Sequence, residues 1–166
     1  MKQLLLIRHA KSSWADAGMD DFDRPLNERG KSDAPEMAKR LIRKHIKIDA
    51  FISSAAKRAQ KTSALFMKEF HVDTERMIIK KQLYLAPPEI FYSCIAELDE
   101  QLETVAIFAH NPGITDFANN LTPVKVDDMP TCSIYALKVD ADQWKDFAKA
   151  PKTFWFFDYP KQRPDQ

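Results

Sequence analysis

Leu4-Leu5-Leu6-Ile7 is an apolar run of strand length with no polar alternation, and it stops on the adjacent pair Arg8-His9. A strand that is apolar at successive positions must be covered on both faces, as inner strands of a helix-flanked parallel sheet are. Comparable runs recur at 49–53, 104–109 and 133–139, with an aromatic run at 153–158 suited to an edge. Most of the intervals between them show helical periodicity.

The first helix is expected over 27 to about 45, with Met37, Leu41, Ile42 and Ile46 inward. Pro35 either kinks it or sets the start of its regular part near Asp33. A second helix should follow Ser53-Ser54, where a hydroxyl could cap it, and carry Ala59, Thr62, Leu65, Phe66 and Phe70 inward. A third is expected from Pro88 to about Gln101, and a short fourth after Pro112. Strands alternating with helices define the fold class as α/β: a three-layer α/β/α sandwich, its mostly parallel central sheet having one antiparallel edge strand. No repeat or Gly/Ser linker interrupts the sequence, so a single domain over 1–166 is expected.

With 25 Lys+Arg against 24 Asp+Glu the net charge is +1, which excludes the broad basic footprint of a nucleic-acid binder. Any anion must be met by locally placed charge. Cys94 and Cys132 sit far apart in apolar surroundings and read as small core residues rather than as a disulfide or metal framework. The start of the chain lacks a signal-peptide layout, and no segment approaches the roughly 20 apolar residues of a membrane span. The expected setting is cytoplasmic, without nucleic-acid or membrane partners.

In an open parallel sheet ligands gather at the carboxyl ends of the strands. Arg8-His9 follows the first strand, Arg58 falls in the first turn of the helix after the second, and His110 ends the strand at 104–109. Each residue alone has an ordinary structural use. Together, two arginines and two histidines at one sheet edge form a constellation for phosphate, since guanidinium forks and a helix amino terminus both suit phosphoryl oxygens.

Leu-Leu-Ile-Arg8-His9-Ala10, Arg24-Pro25-Leu26-Asn27-Glu28-Arg29-Gly30, Ser53-Ser54 with Arg58-Ala59 and Thr62, and His110-Asn111-Pro112-Gly113 resemble the histidine phosphatase superfamily, also called phosphoglycerate-mutase-like. The short length, the Arg-His-Ala-Lys-Ser-Ser-Trp opening and the closing Phe156-Phe157-Asp158-Tyr159-Pro160-Lys161 are most similar to its SixA-type phosphohistidine phosphatase branch.

The resemblance implies a nucleophilic His9, with Arg8, Arg58 and His110 around the phosphoryl oxygens and a covalent phosphohistidine intermediate. No metal or other cofactor is implied. His9 should attack as neutral imidazole, its other nitrogen donating to a backbone carbonyl, while His110 should be protonated or at least donating. Ser12 and Arg24 are further candidates for phosphate or substrate binding.

The general acid is the open position, because 81–86 offers no carboxylate and Glu89 reads as an exposed first-turn residue. The acidic loop with Asp16, Asp20, Asp21 and Asp23 is either simply solvated or the source of the acid, and Asp21 aligns best with an aspartate of the related branch. The expected function is hydrolysis of phosphohistidine in a signalling or phosphorelay protein. Alternatives are an intracellular phosphomonoesterase for a small phosphorylated substrate and a non-catalytic phospho-ligand-binding module. A monomer or weak dimer is expected.

Overall fold

The computed structural model describes residues 1–162; the last four positions of the expected 1–166 domain lie outside the described residues. The strands are β1 (Lys2–Arg8), β2 (Ala50–Ser53), β3 (Ile78–Ile79), β4 (Thr104–Ala109), β5 (Ile134–Val139) and β6 (Lys152–Asp158). The helices are α1 (Glu28–Arg43), α2 (Lys57–Glu69), α3 (Pro88–Ala96) and α4 (Gly113–Asn119). One six-stranded sheet runs in the order β3-β2-β4-β1-β5-β6. Its β3, β2, β4 and β1 pairings are parallel, and those of β5 with β1 and with β6 are antiparallel. The aromatic run pairs at the antiparallel edge.

The uninterrupted apolar character of β1 has a simple cause. Leu5 and Ile7 pack with Met37, Leu41 and Phe66 of α1 and α2, while Leu4 and Leu6 pack with Phe91, Ile114 and Phe117 of α3 and α4. Successive residues of a strand point to opposite faces, so both faces need apolar cover. This gives three layers.

Several local expectations are corrected. Pro35 lies within an unbroken α1, which Asn27 caps by accepting from Gly30 N–H. Ile42 is exposed, because it falls at the margin of the stripe set by Met37, Ala38 and Leu41. No hydroxyl caps α2: its cap residue is Ala56, and the Ser54 hydroxyl turns instead toward the sheet edge. Helix α3 ends at Ala96, and Leu98 reaches the same core from a turn. Strand β3 has only two residues and gave no periodic signal.

Two glycines let backbone approach backbone at the site. A Cβ on Gly30 would lie 2.2 Å from the Lys11 carbonyl oxygen, and one on Gly113 would lie 1.7 Å from that of Ala86. Gly30 therefore seats α1 against the segment following His9, and Gly113 draws the loop carrying Tyr84 and Leu85 against α4.

Candidate active site

Arg8 and His9 emerge from β1 beside His110, the residue following the adjacent parallel strand β4. The backbone of this corner is fixed by Cys132 N–H, which lies within hydrogen-bonding distance of both the Arg8 and His9 carbonyls, at 3.0 and 3.1 Å. Arg58 comes from the first turn of α2. Its side chain is buried, as are His9 and His110. The rings of His9 and His110 stand 5.1 Å apart.

His9 is held in one tautomer by contacts on both ring nitrogens. Its Nδ1 lies 2.8 Å from the Ala10 carbonyl oxygen, which can only accept, so Nδ1 carries the proton. Nε2 accepts from Arg58 Nε–H at 3.3 Å and therefore presents a lone pair. Thr62 supports this geometry: its hydroxyl accepts from Ala10 N–H and donates to the Arg58 carbonyl, tying the histidine segment to α2. Burial, reinforced by the nearby His110, Arg58 and Arg8, lowers the His9 pKa to about 3 despite the opposing bond to Ala10. The ring is neutral near neutral pH.

His110 is likewise lowered to about 3, by burial first and then by Arg58 and Arg8, with Asp21 opposing. Near neutral pH it is neutral, and the protonated alternative is disfavoured. Its Nε2 lies 2.7 Å from the Ser54 hydroxyl, and its buried Nδ1 has no hydrogen-bond partner among the described residues. Arg8 donates from Nη1 to the Met129 carbonyl at 2.8 Å, while its buried Nε has no hydrogen-bond partner among the described residues. Burial pulls its pKa down, but a guanidinium still carries its charge.

Asp21 occupies the opposite rim. It accepts from Arg58 Nη2 at 3.0 Å, Arg24 Nη1 at 2.8 Å and the Tyr84 hydroxyl at 2.5 Å, and its carbonyl accepts from Arg58 Nη1 at 2.6 Å. Burial acts to raise its pKa, but the bonds from Tyr84, Arg58 and Arg24 outweigh it and lower the value to about 2. At neutral pH this carboxyl has no proton to donate. Glu89 is exposed in the first turn of α3.

Arg24 is buried, and its guanidinium is engaged by its own surroundings: Nε donates to the Ser13 carbonyl, Nη1 to Asp21 and Nη2 to the Ser12 hydroxyl. It also lies 3.3 Å above the Trp14 ring. Ser12 pairs with Leu26 in an isolated bridge, so Ser12 and Arg24 brace the pocket wall together.

The resulting cavity is about 390 Å³ and brings together all seven residues expected at the site: Arg8, His9, Ser12, Asp21, Arg24, Arg58 and His110. Lys11, Trp14, Leu85, Asn111 and Thr131 complete its lining. Tyr84 and Ser54, which act on Asp21 and His110, were not assigned those roles from sequence. The serine pair was visible in the motif, but nothing in the spacing showed that Ser54 faces His110. Among the described residues no group of three or more His, Cys, Asp or Glu is arranged to hold a metal ion.

The depressed histidines make stability dependent on pH. Unfolded imidazole takes a proton near pH 6.5 but the folded rings do so only near 3, so the unfolded chain binds more protons between these values. Their contribution is intact above about 6.5 and falls as pH drops, by up to about 1.4 kcal/mol per pH unit for each ring. Urea unfolding measured between about pH 7 and pH 4 should show a loss of several kcal/mol. A flat profile would contradict the buried neutral pair.

A three-layer α/β/α fold with an anion pocket of two arginines and two histidines at the strand ends defines a class of phosphoryl-handling enzymes. The model of the histidine phosphatase superfamily (branch 1) matches residues 4–83. SixA from Agrobacterium tumefaciens, a proposed phosphohistidine phosphatase, superimposes with a TM-score of 0.78 at 25% identity, covering 96% of this chain and 98% of that one. A protein histidine phosphatase SixA complexed with tungstate gives 0.80 at 20% identity, covering 95% and 97% of the two chains.

An uncharacterised chloroplastic protein of Arabidopsis thaliana is 27% identical over 87% of this chain and 70% of its own length. The mitochondrial serine/threonine-protein phosphatase Pgam5 of Drosophila sechellia is 32% identical over 46% of this chain, a match spanning only 26% of that protein. The match to the histidine phosphatase superfamily covers just under half of the chain, and over nearly its whole length the chain has the fold of the SixA structures. Among the described residues, no helix is long and apolar enough to cross a membrane.

Proposed function

We propose that this chain hydrolyses phosphohistidine on a protein, using His9 as the nucleophile. The observation that carries the reading is the fixed tautomer of His9: Nδ1 is tied to Ala10 and the Nε2 lone pair faces a pocket shared with Arg8, Arg58 and His110. The Nε2 lone pair forms a bond to phosphorus as the bond to the leaving nitrogen breaks, and the leaving imidazole departs with that electron pair. Water then attacks phosphorus, the P–N bond breaks, and Nε2 regains its lone pair. Arg8, Arg58 and His110 stabilise charge on the phosphoryl oxygens through both steps.

The ionised Asp21 favours this substrate class. An alkoxide leaving group needs a proton, whereas phosphohistidine protonated on its far nitrogen leaves as neutral imidazole, and transfer between two imidazoles is roughly balanced in energy. Arg24 and Ser12 organise the wall and orient Asp21. Free Cys94 and Cys132 favour a reducing compartment, in keeping with a cytoplasmic monomer or weak dimer acting as one domain over 1–166.

The cavity volume of about 390 Å³ lies in the range of small-ligand sites and favours a second reading, hydrolysis of a small phosphomonoester. A panel of a phosphohistidine protein, p-nitrophenyl phosphate and sugar phosphates separates the two. Turnover of the phosphohistidine protein should exceed that of sugar phosphates by about a hundredfold or more, the usual contribution of a general acid. Faster turnover of a sugar phosphate would transfer the assignment to the second reading.

A further inference from the structure

A second cavity, of about 680 Å³, lies on the α2 side of the molecule and shares no lining residue with the first. Its apolar surface comes from Pro25, Leu26, Ala64, Met77 and Ile79. Ile79 is 45% exposed on β3, the edge strand of the sheet. Lys31, Lys57 and Lys61 stand at the rim against the single carboxylate of Glu75. In a chain whose net charge is only +1, this is a local concentration of positive charge.

The arrangement of that charge runs against the preferences of the helix that bears it. Lys57 and Lys61 stand four residues apart on one helical face, and α2 has no acidic residue in its first turn. Like charges at this spacing repel, and cations at a helix amino terminus oppose its dipole. Among the described residues no carboxylate pairs with Lys57 or Lys61, while Lys31 has one contact, to Glu28 at 3.5 Å.

The groove also adjoins the active site along the chain. Lys57 precedes Arg58 in the first turn of α2, and Pro25-Leu26 follows Arg24. A segment lying in the groove therefore borders the elements that hold the phosphate pocket.

We infer that this lysine-rimmed apolar groove docks an acidic amphipathic segment of the phosphorylated substrate protein. The inference rests on the protein-substrate reading above and deepens it. The apolar side of the segment covers Leu26, Met77 and Ile79, and its carboxylates meet Lys57 and Lys61. Attraction of this kind lowers KM without altering the chemical step, which takes place in the other pocket. Pairing of two copies through the same face would set lysines against lysines.

Two fluorescein-labelled amphipathic helical peptides of about 16 residues serve as probes, identical on the apolar face and carrying glutamate or lysine on the polar face. Fluorescence anisotropy should show the glutamate peptide binding at least about tenfold tighter, a preference abolished by K57E/K61E and weakened by I79D. Both variants should retain wild-type kcat/KM on p-nitrophenyl phosphate and a native circular dichroism spectrum. With phosphohistidine placed near one peptide end, the same substitutions should raise KM at least about tenfold and leave kcat unchanged.

Equal binding of the two peptides, or binding untouched by both variants, overturns the groove whatever the enzyme hydrolyses. Dimerisation of the wild type that is lost in I79D, or single-stranded RNA binding that is lost in K57E/K61E, overturns it in favour of a different occupant. Selective peptide binding without turnover of any phosphohistidine substrate keeps the groove and refutes the proposed substrate instead.

Discussion

His9→Ala should lower kcat/KM by at least about ten-thousandfold, a loss of about 5.5 kcal/mol of transition-state stabilisation. The size of the effect follows from removing the covalent route, not merely weakening it. Arg8, Arg58 and His110 would still gather a phosphoryl group, so binding of a phosphate analogue should persist. Acid quench of the wild type during turnover should trap phosphate on His9, and the variant should trap none. Because the deletion leaves a ring-shaped space between Ala10 and Arg58, added imidazole should restore part of the activity. Retained turnover in His9→Ala without imidazole would refute the nucleophile.

The elements that position this histidine were legible because each carries its own signal. Residues 4–7 of β1 and 105–109 of β4 are buried and apolar at every step, and a sheet covered on both faces leaves no other reading. Arg8-His9, Arg58 and His110 were then placed by their position at strand and helix ends alone. Strand β3 was not legible, since Ile78–Ile79 is too short for a period and exists as a strand only through its pairing with β2. The length of α3 was misjudged for a related reason: Leu98 continues the helical apolar spacing, but a turn after Ala96 delivers it to the same core.

Contacts between distant loops explain the remaining gap at the site. Asp21 was visible as one aspartate in an acidic loop, but its state is decided by Tyr84, 63 residues away, and by Arg58, 37 away. No local pattern encodes such a meeting. The one hint is Gly113, whose missing side chain permits the Tyr84-Leu85 loop to press against α4, and that becomes readable only once the Ala86 carbonyl is seen beside it. Hence the pocket could be named from sequence while the protonation state of its carboxylate could not.

Arg58→Ala should lower kcat by about a hundred- to a thousandfold, because one guanidinium serves three parts of the pocket. Its Nε–H holds the His9 lone pair in place, and its two terminal nitrogens fix the backbone and carboxylate of Asp21. A phosphoryl group entering the site would take over the long 3.3 Å contact to Nε2, leaving His9 free to attack. Arg58→Lys should recover little, since an ammonium supplies a point charge without the planar fork that engages His9 and Asp21 together.

The pH profile distinguishes this role from simple structural support. Arg58 helps to hold the His9 and Asp21 pKa values down, so its loss should move both upward and shift the acid limb of kcat/KM to higher pH. A loss of activity with an unshifted acid limb would mean that Arg58 acts on the bound phosphate alone. Wild-type activity in Arg58→Ala would remove it from the site altogether.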